Sequence, residues 1–191
     1  MKIITIMVIL VPTMLIANNK YKEPGFILLE KHNNIEIRQY NKYIVAKTTA
    51  SINKDDLTEN NMFRTLASYI FGQNKAQKNI PMTAPVTTFQ NKDSHEMLFY
   101  MLDVQSIEEL PEPIGQNIIF DEFHLNKCAV ISFSWFTSDG RIKSYQKQLK
   151  DFLDKNGYII KSNFMLNRYD PPWKLPFMRR NEVLVQIQEA E

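Results

Sequence analysis

Residues 131–142 read Ile131-Ser132-Phe133-Ser134-Trp135-Phe136-Thr137-Ser138-Asp139-Gly140-Arg141-Ile142, and within them the apolar period changes. Ile131, Phe133 and Trp135 alternate against Ser132 and Ser134, the two-residue period of a half-buried strand. Ser138-Asp139 is then a helix start, because a short oxygen-bearing side chain can take up a free amide of the first turn. Ile142, Tyr145, Leu149, Phe152 and Leu153 follow as one apolar stripe at helical spacing, and Asn156-Gly157 closes it. A strand that feeds an amphipathic helix is the unit from which the rest of the chain is read.

Working outward, the same order occurs twice. In the second half, Ile118 to Leu125 and Lys127 to Phe136 are expected to form a hairpin ahead of the helix. Strands at Asn163 to Tyr169 and Glu182 to Ile187 follow it. In the first half, Ile35-Glu36-Ile37-Arg38 alternates, Asn41-Lys42 reads as a turn, and Tyr43 to Ala50 reads as the hairpin partner. Asp55-Asp56 opens a helix with Met62, Leu66 and Ile70 at i, i+4, i+8 and with Phe63 and Ala67 beside them; Gly72 stops it. Strands Val86 to Phe89 and Glu96 to Asp103 complete the unit, and Ser106 to Gln116 links the halves. Two strand-strand-helix-strand-strand units give an α+β fold, a distorted antiparallel barrel with two flanking helices, read as one domain over residues 20–191.

Composition narrows the function. The chain has 191 residues, a formal net charge of +2 with both signs interspersed, and one cysteine, Cys128. A nucleic-acid binder is expected to carry a basic stripe, which is missing here. A single cysteine rules out an intrachain disulfide and a multi-cysteine zinc site. Residues 1–19 differ in kind: Lys2, then an uncharged apolar run from Ile3 to Ala17, then Asn18-Asn19. This reads as a secretory signal peptide, or a membrane anchor if uncleaved, and implies export to the periplasm or beyond. The run is short for a membrane span.

Two proline-anchored segments stand out, each ahead of an expected strand: Ile80-Pro81-Met82-Thr83-Ala84-Pro85-Val86 and Arg168-Tyr169-Asp170-Pro171-Pro172-Trp173. Arg179-Arg180-Asn181-Glu182-Val183 follows the second. Neither holds a nucleophile with its base, a metal-ligand cluster or a phosphate loop, and no such motif occurs elsewhere. Asp170 is expected to hydrogen-bond backbone donors in its turn. Arg179, Arg180 and Glu182 are expected to pin the last strand as an ion-pair lattice. With the opening Ile35-Glu36-Ile37-Arg38-Gln39-Tyr40, these segments resemble the marks of the SOUL family of haem-binding proteins, over nearly the whole chain after residue 20.

That resemblance implies a duplicated α+β barrel, similar to multidrug-sensing ligand domains, and non-covalent binding of haem or another tetrapyrrole in an apolar cleft beside the first helix. It assigns Phe63, Leu66, Ala67 and Ile70 to the cleft wall. A porphyrin is a flat apolar disc with carboxylates at its rim and needs a cation there. Lys174 is the first candidate and Arg64 the second. Where some members carry a histidine proposed as iron ligand, this chain has Gln39. His32, His95 and His124 read as surface residues, Tyr40, Tyr69 and Met82 as packing residues, and the iron ligand stays open.

The expected role is therefore a monomeric, non-enzymatic carrier, buffer or scavenger of haem. The competing readings are a module for other amphipathic ligands, a small-ligand hydrolase using Tyr69 or Glu96, and a partner-binding helix over Tyr145 to Leu153.

Overall fold

Ten strands and two helices appear in a computed structural model that describes residues 21–51, 59–115 and 117–190. The apolar run of residues 3–17 and Asp55-Asp56 lie outside the described residues. In chain order the elements are β1 (Phe26–His32), β2 (Ile35–Tyr40), β3 (Lys42–Ser51), α1 (Glu59–Ile70), β4 (Val86–Gln90) and β5 (Ser94–Tyr100). Then follow β6 (Ile119–His124), β7 (Lys127–Phe133), α2 (Asp139–Lys155), β8 (Tyr158–Ile160), β9 (Met165–Arg168) and β10 (Asn181–Glu189).

The strands form one curled antiparallel sheet in the order β1-β2-β7-β10-β9-β4-β5-β3-β6, with β8 on β10. From β2 to β6 this order is palindromic. The units are β2-β3-α1-β4-β5 and β6-β7-α2-β9-β10, and they meet where β4 pairs β9. Each unit gives its first strand to the other: β2 pairs β7, and β6 pairs β3.

This exchange corrects both expected hairpins. Only Asn41 separates β2 from β3, too little for even a two-residue hairpin loop. Leu125-Asn126 separates β6 from β7, but Leu125 is 1% exposed and anchored in the core, and only Asn126 has positive φ, at 52°. A tight two-residue turn of the primed type I needs both residues there. The two proline segments also part company. Pro81–Pro85 leads into β4, with a cis bond at Ala84-Pro85. Asp170-Pro171-Pro172 lies after β9, in the connection to β10. They are not equivalent strand entries.

Alternation along the strands sorts the core. Ile44, Ala46, Met97 and Phe99 pack with Met62, Leu66, Tyr69 and Ile70 of α1. Ala129, Ile131, Phe133, Val183 and Val185 pack with Leu149 and Leu153 of α2. Both helices therefore cover one face. The intervening residues Val45, Leu98, Tyr100, Cys128, Val130 and Leu184 point to the opposite, inner face and fill it. The stripe Tyr145 to Leu153 is consumed in this packing: Leu149 and Leu153 are 0% exposed, and Tyr145 stacks on Phe133 at 4.2 Å.

The inner face also holds a buried polar network. Arg38 on β2 donates to both Glu182 oxygens on β10, at 3.0 and 3.1 Å, and to the Tyr40 hydroxyl at 3.0 Å. The Tyr169 hydroxyl donates to Glu182 Oε2 at 2.6 Å. The expected lattice of Arg179, Arg180 and Glu182 is thus corrected. Glu182 is held by Arg38, Arg180 pairs Glu23 at 2.5 Å, and Arg179 donates to the carbonyls of Lys174 and Pro172. Asp170 does serve its turn, accepting the Arg180 amide at 2.6 Å.

Candidate functional site

Helix α1 carries two apolar stripes side by side. Met62, Leu66, Tyr69 and Ile70 face the sheet and are at most 2% exposed. One residue further on, Phe63, Ala67 and, just past the helix end, Phe71 repeat at the same i, i+4, i+8 spacing, with the two phenylalanines exposed and Ala67 largely buried. Phe63 is 42% and Phe71 66% exposed, with the small Ala67 between them. The Phe63 ring meets the buried Phe99 edge-on at 5.5 Å, so its position is fixed from below.

The end of the helix is built to present this stripe. Gly72 has φ +98°, and a Cβ there is 3.1 Å from Asn79 Oδ1, so both backbone and space call for glycine. Asn74, 0% exposed, donates to the carbonyls of Tyr69 and Lys78 and accepts the Lys78 amide. This clasp turns the chain sharply after Phe71.

Two open depressions adjoin α1. One, of about 530 Å³, is lined by Asn60, Phe63, Arg64, Ala67, Ser68, Phe71 and Gln73. The other, of about 380 Å³, has a more polar wall including Asn61, Thr65, Asn117 and the 69%-exposed Ile114. Arg64, Ser68 and Gln73 belong to both. Among the described residues Arg64 makes no ion pair. An apolar floor beside a polar one, with a cation between them, suits a ligand that is flat and apolar on one side and anionic on another.

The residues expected at the cleft divide accordingly. Phe63 and Arg64 are at the surface, Ala67 is at the margin at 9% exposure, and Leu66 and Ile70 support the wall from beneath at 0% and 1%. Lys174 lines neither depression; its ammonium is 2.6 Å from Asp170 Oδ1. Phe71, Ser68, Gln73 and Ile114 complete the site and were not anticipated, although the spacing Phe63-Ala67-Phe71 announces the first of them.

Among the described residues, no histidine, tyrosine, methionine or cysteine lines either depression. His32 pairs Glu30 at 3.0 Å and His124 lies 3.7 Å from Glu122. Gln39 sits on β2, between β1 and β7, whereas α1 packs on β3 and β5. Among the described residues no group of three His, Cys, Asp or Glu side chains is placed to hold a metal ion.

The groups named for hydrolysis are occupied elsewhere. Burial pushes the Tyr69 phenol up to about 12, and it donates to the Pro111 carbonyl at 2.9 Å. Glu96 pairs Lys47 at 3.4 Å. Burial also raises the Cys128 thiol to about 12.

Residues 21–186 match the family described as SOUL heme-binding protein. Heme-binding protein 2 of Homo sapiens is 27% identical over 163 residues, covering 82% of this chain and 78% of that protein. Solved structures share the fold at low identity. A protein from Listeria innocua described as a hydrolase superposes with a TM-score of 0.61 at 10% identity, covering 81% of this chain and 92% of that one. The EcmrR C-terminal domain gives 0.58 at 12%, covering 82% and 98%.

Proposed function

The chain belongs to the SOUL heme-binding family, and on that premise we propose that it binds haem or a related tetrapyrrole, without covalent attachment, on the outer face of α1. The observation that carries this reading is the surface stripe Phe63-Ala67-Phe71 with Arg64 at its border.

The two phenylalanines and the small residue between them offer an apolar surface that excludes water from one face of a macrocycle. Arg64 is placed to hold a rim carboxylate, since a guanidinium presents several donors in a fixed fork. Lys174 lines neither depression and is paired with Asp170, so Arg64 is the cation on which this reading relies. With no histidine, tyrosine, methionine or cysteine among the described lining residues, this reading has the site recognise the macrocycle rather than the metal. Bound iron would supply its own redox and ligand chemistry; this chain's residues contribute shape, dryness and a cation. A monomeric carrier or buffer, exported behind its N-terminal segment, is the role this reading assigns.

The test is titration with hemin and, in parallel, with metal-free protoporphyrin. The expected result is a saturable Soret change at one equivalent and affinities for the two that agree within about tenfold, or about 1.4 kcal/mol. A non-saturable uptake of both contradicts the reading. Displacement of hemin by hydrophobic dyes of unrelated shape points instead to a general amphipath site.

A further inference from the structure

The helical turn sets the outer surface of α1 in three rows, each at four-residue spacing: Glu59-Phe63-Ala67, Asn60-Arg64-Ser68 and Asn61-Thr65. Phe63 and Ala67 line the larger depression, Arg64 and Ser68 border both, and Asn61 and Thr65 wall the smaller one. The apolar row is therefore headed by an acid. Glu59 stands one turn ahead of Phe63 and five residues ahead of Arg64, about 7.5 Å along the helix axis. That is inside the screening length of about 8–10 Å at moderate salt. Left alone, the Glu59 carboxylate would oppose any anion that Arg64 receives.

It is not left alone. Arg168, the last residue of β9, donates from Nη2 to both Glu59 oxygens, at 3.0 and 3.1 Å. The fold anchors the rest of this guanidinium. Its Nη1 donates to Thr88 Oγ1 on β4 at 3.2 Å, and its Nε donates to Thr137 Oγ1 ahead of α2 at 3.1 Å. The Arg168 side chain is 24% exposed and that of Glu59 53%, so the arginine is the fixed partner and the acid comes to it.

Other acids around the helix are paired as well. Glu96 of β5, which packs on α1, pairs Lys47 at 3.4 Å. Glu112, whose carbonyl accepts the Lys75 amide just past the helix, pairs the Lys75 ammonium at 2.5 Å. Among the described residues no Asp or Glu lines either depression, and Arg64 is the one cation that does.

Resting on the tetrapyrrole reading above, we propose that the site selects tetrapyrroles with free carboxylates over neutral derivatives of the same ring. In this proposal Arg168 is the positioning residue that sets the selectivity, by holding Glu59 away from the bound anion. A carboxylate on Arg64 then has the side chains of Ser68 and Gln73 beside it as neutral donors, and no acid competes. The apolar row serves the acid and its neutral derivative alike. Selectivity is the difference between them, and it comes from the charge left standing at the border.

The probes are metal-free protoporphyrin, a diacid, and its neutral bis(hydroxyethyl)amide, titrated by Soret absorbance at low salt, where screening is weakest. The native chain is expected to bind the diacid at least about fivefold more tightly, the scale of an exposed ion pair. Arg168→Ala is expected to weaken the diacid by about threefold and leave the amide unchanged, because Glu59 is released. Adding Glu59→Gln to that variant is expected to restore diacid binding, although the bonds to Thr88 and Thr137 stay lost. Glu59→Gln alone is expected to bind the diacid at least as tightly as the native chain. Equal affinities of the native chain for diacid and amide overturn the inference and leave the tetrapyrrole reading standing. Equal weakening of both probes by Arg168→Ala, or no rescue by Glu59→Gln, makes Arg168 merely structural and overturns it too. Saturable binding of neither probe contradicts the tetrapyrrole reading itself, and the inference falls with it.

Discussion

Helices α1 and α2 hold equivalent places in the two units, pack on the same face of the sheet and bury similar stripes, yet their outer surfaces differ. On α2, Lys147 pairs Asp151 at 2.6 Å, Lys150 pairs Asp154 at 2.5 Å, and no large apolar side chain of the helix is among the exposed ones. On α1 the only charged residues are Glu59 and Arg64, and Phe63 and Phe71 lie open beside two depressions. Duplication supplied two scaffolds, and only one was left with an apolar surface toward solvent. The difference teaches that the open apolar row on α1, on which the proposed site rests, is a departure from the repeat rather than a consequence of it.

The comparison is best strained first where both helices share a floor. Burial raises the phenols of Tyr40, Tyr100 and Tyr169 above their usual value near 10, with the carboxylate of Glu182 adding to Tyr40 and Tyr169. Their native pKa values lie above the unfolded ones, so the stability they contribute is complete below about pH 10 and is lost as pH climbs toward the native values. Alkaline unfolding followed by circular dichroism is expected to melt both helices in one transition. Separate transitions for the two units break the picture of a shared inner face.

Next in size are Leu66→Ala and Leu153→Ala, each removing a side chain that is 0% exposed under its helix. Each is expected to cost about 2–5 kcal/mol in denaturant unfolding, because a cavity remains. A large inequality between them shows that the two scaffolds are not energetically alike.

The ligand then separates the helices. Phe63→Asp is expected to weaken hemin binding by at least about tenfold, roughly 1.4 kcal/mol, with the fold kept. Arg64→Ala is expected to weaken it by up to about fivefold, the scale of an exposed ion pair, and to remove its salt dependence. Smallest of all, Lys147→Ala on α2 is expected to change stability by no more than about 0.5 kcal/mol and hemin binding not at all. A hemin effect from Lys147 equal to that from Arg64 erases the contrast.

Much of this was legible in the sequence, for reasons that are local. Helix α2 begins at Asp139 after Ser138 and ends before Gly157, because a 3.6-residue stripe and its flanking residues are written within a few positions; Asn156 caps the last turn, whereas the Ser138 side chain makes no cap hydrogen bond. Strands β4 and β5 were legible as strands, with β5 ending at Tyr100 rather than Asp103, but their pairing with each other was not read. Strand partners were not, since the palindromic exchange joins Ile37 to Ala129 and Val45 to Asp121, residues far apart in the chain. Strand β1 was missed because Phe26-Ile27-Leu28-Leu29 does not alternate and is exposed throughout. The Arg38–Glu182 pair, separated by 144 positions, left no spacing to read.

At the site, the stripe Met62-Leu66-Ile70 was seen, but periodicity does not say which of two adjacent stripes faces the sheet. An apolar arc too wide for one contact was the available signal, and it pointed to Phe71. Lys174 was chosen from its neighbours in sequence, whereas its ion pair with Asp170 and the place of Arg64 between two depressions are matters of geometry.

The central claim is that the ligand lies on α1 and not on its counterpart. It is tested most directly by parallel hemin titrations of the native chain, the double variant Phe63→Asp with Phe71→Asp, and the α2 double variant Lys147→Ala with Lys150→Ala, each checked for unchanged circular dichroism. The account predicts a saturable Soret change that is lost in the α1 variant and kept in the α2 variant. An α1 variant that binds hemin as the native chain does contradicts it.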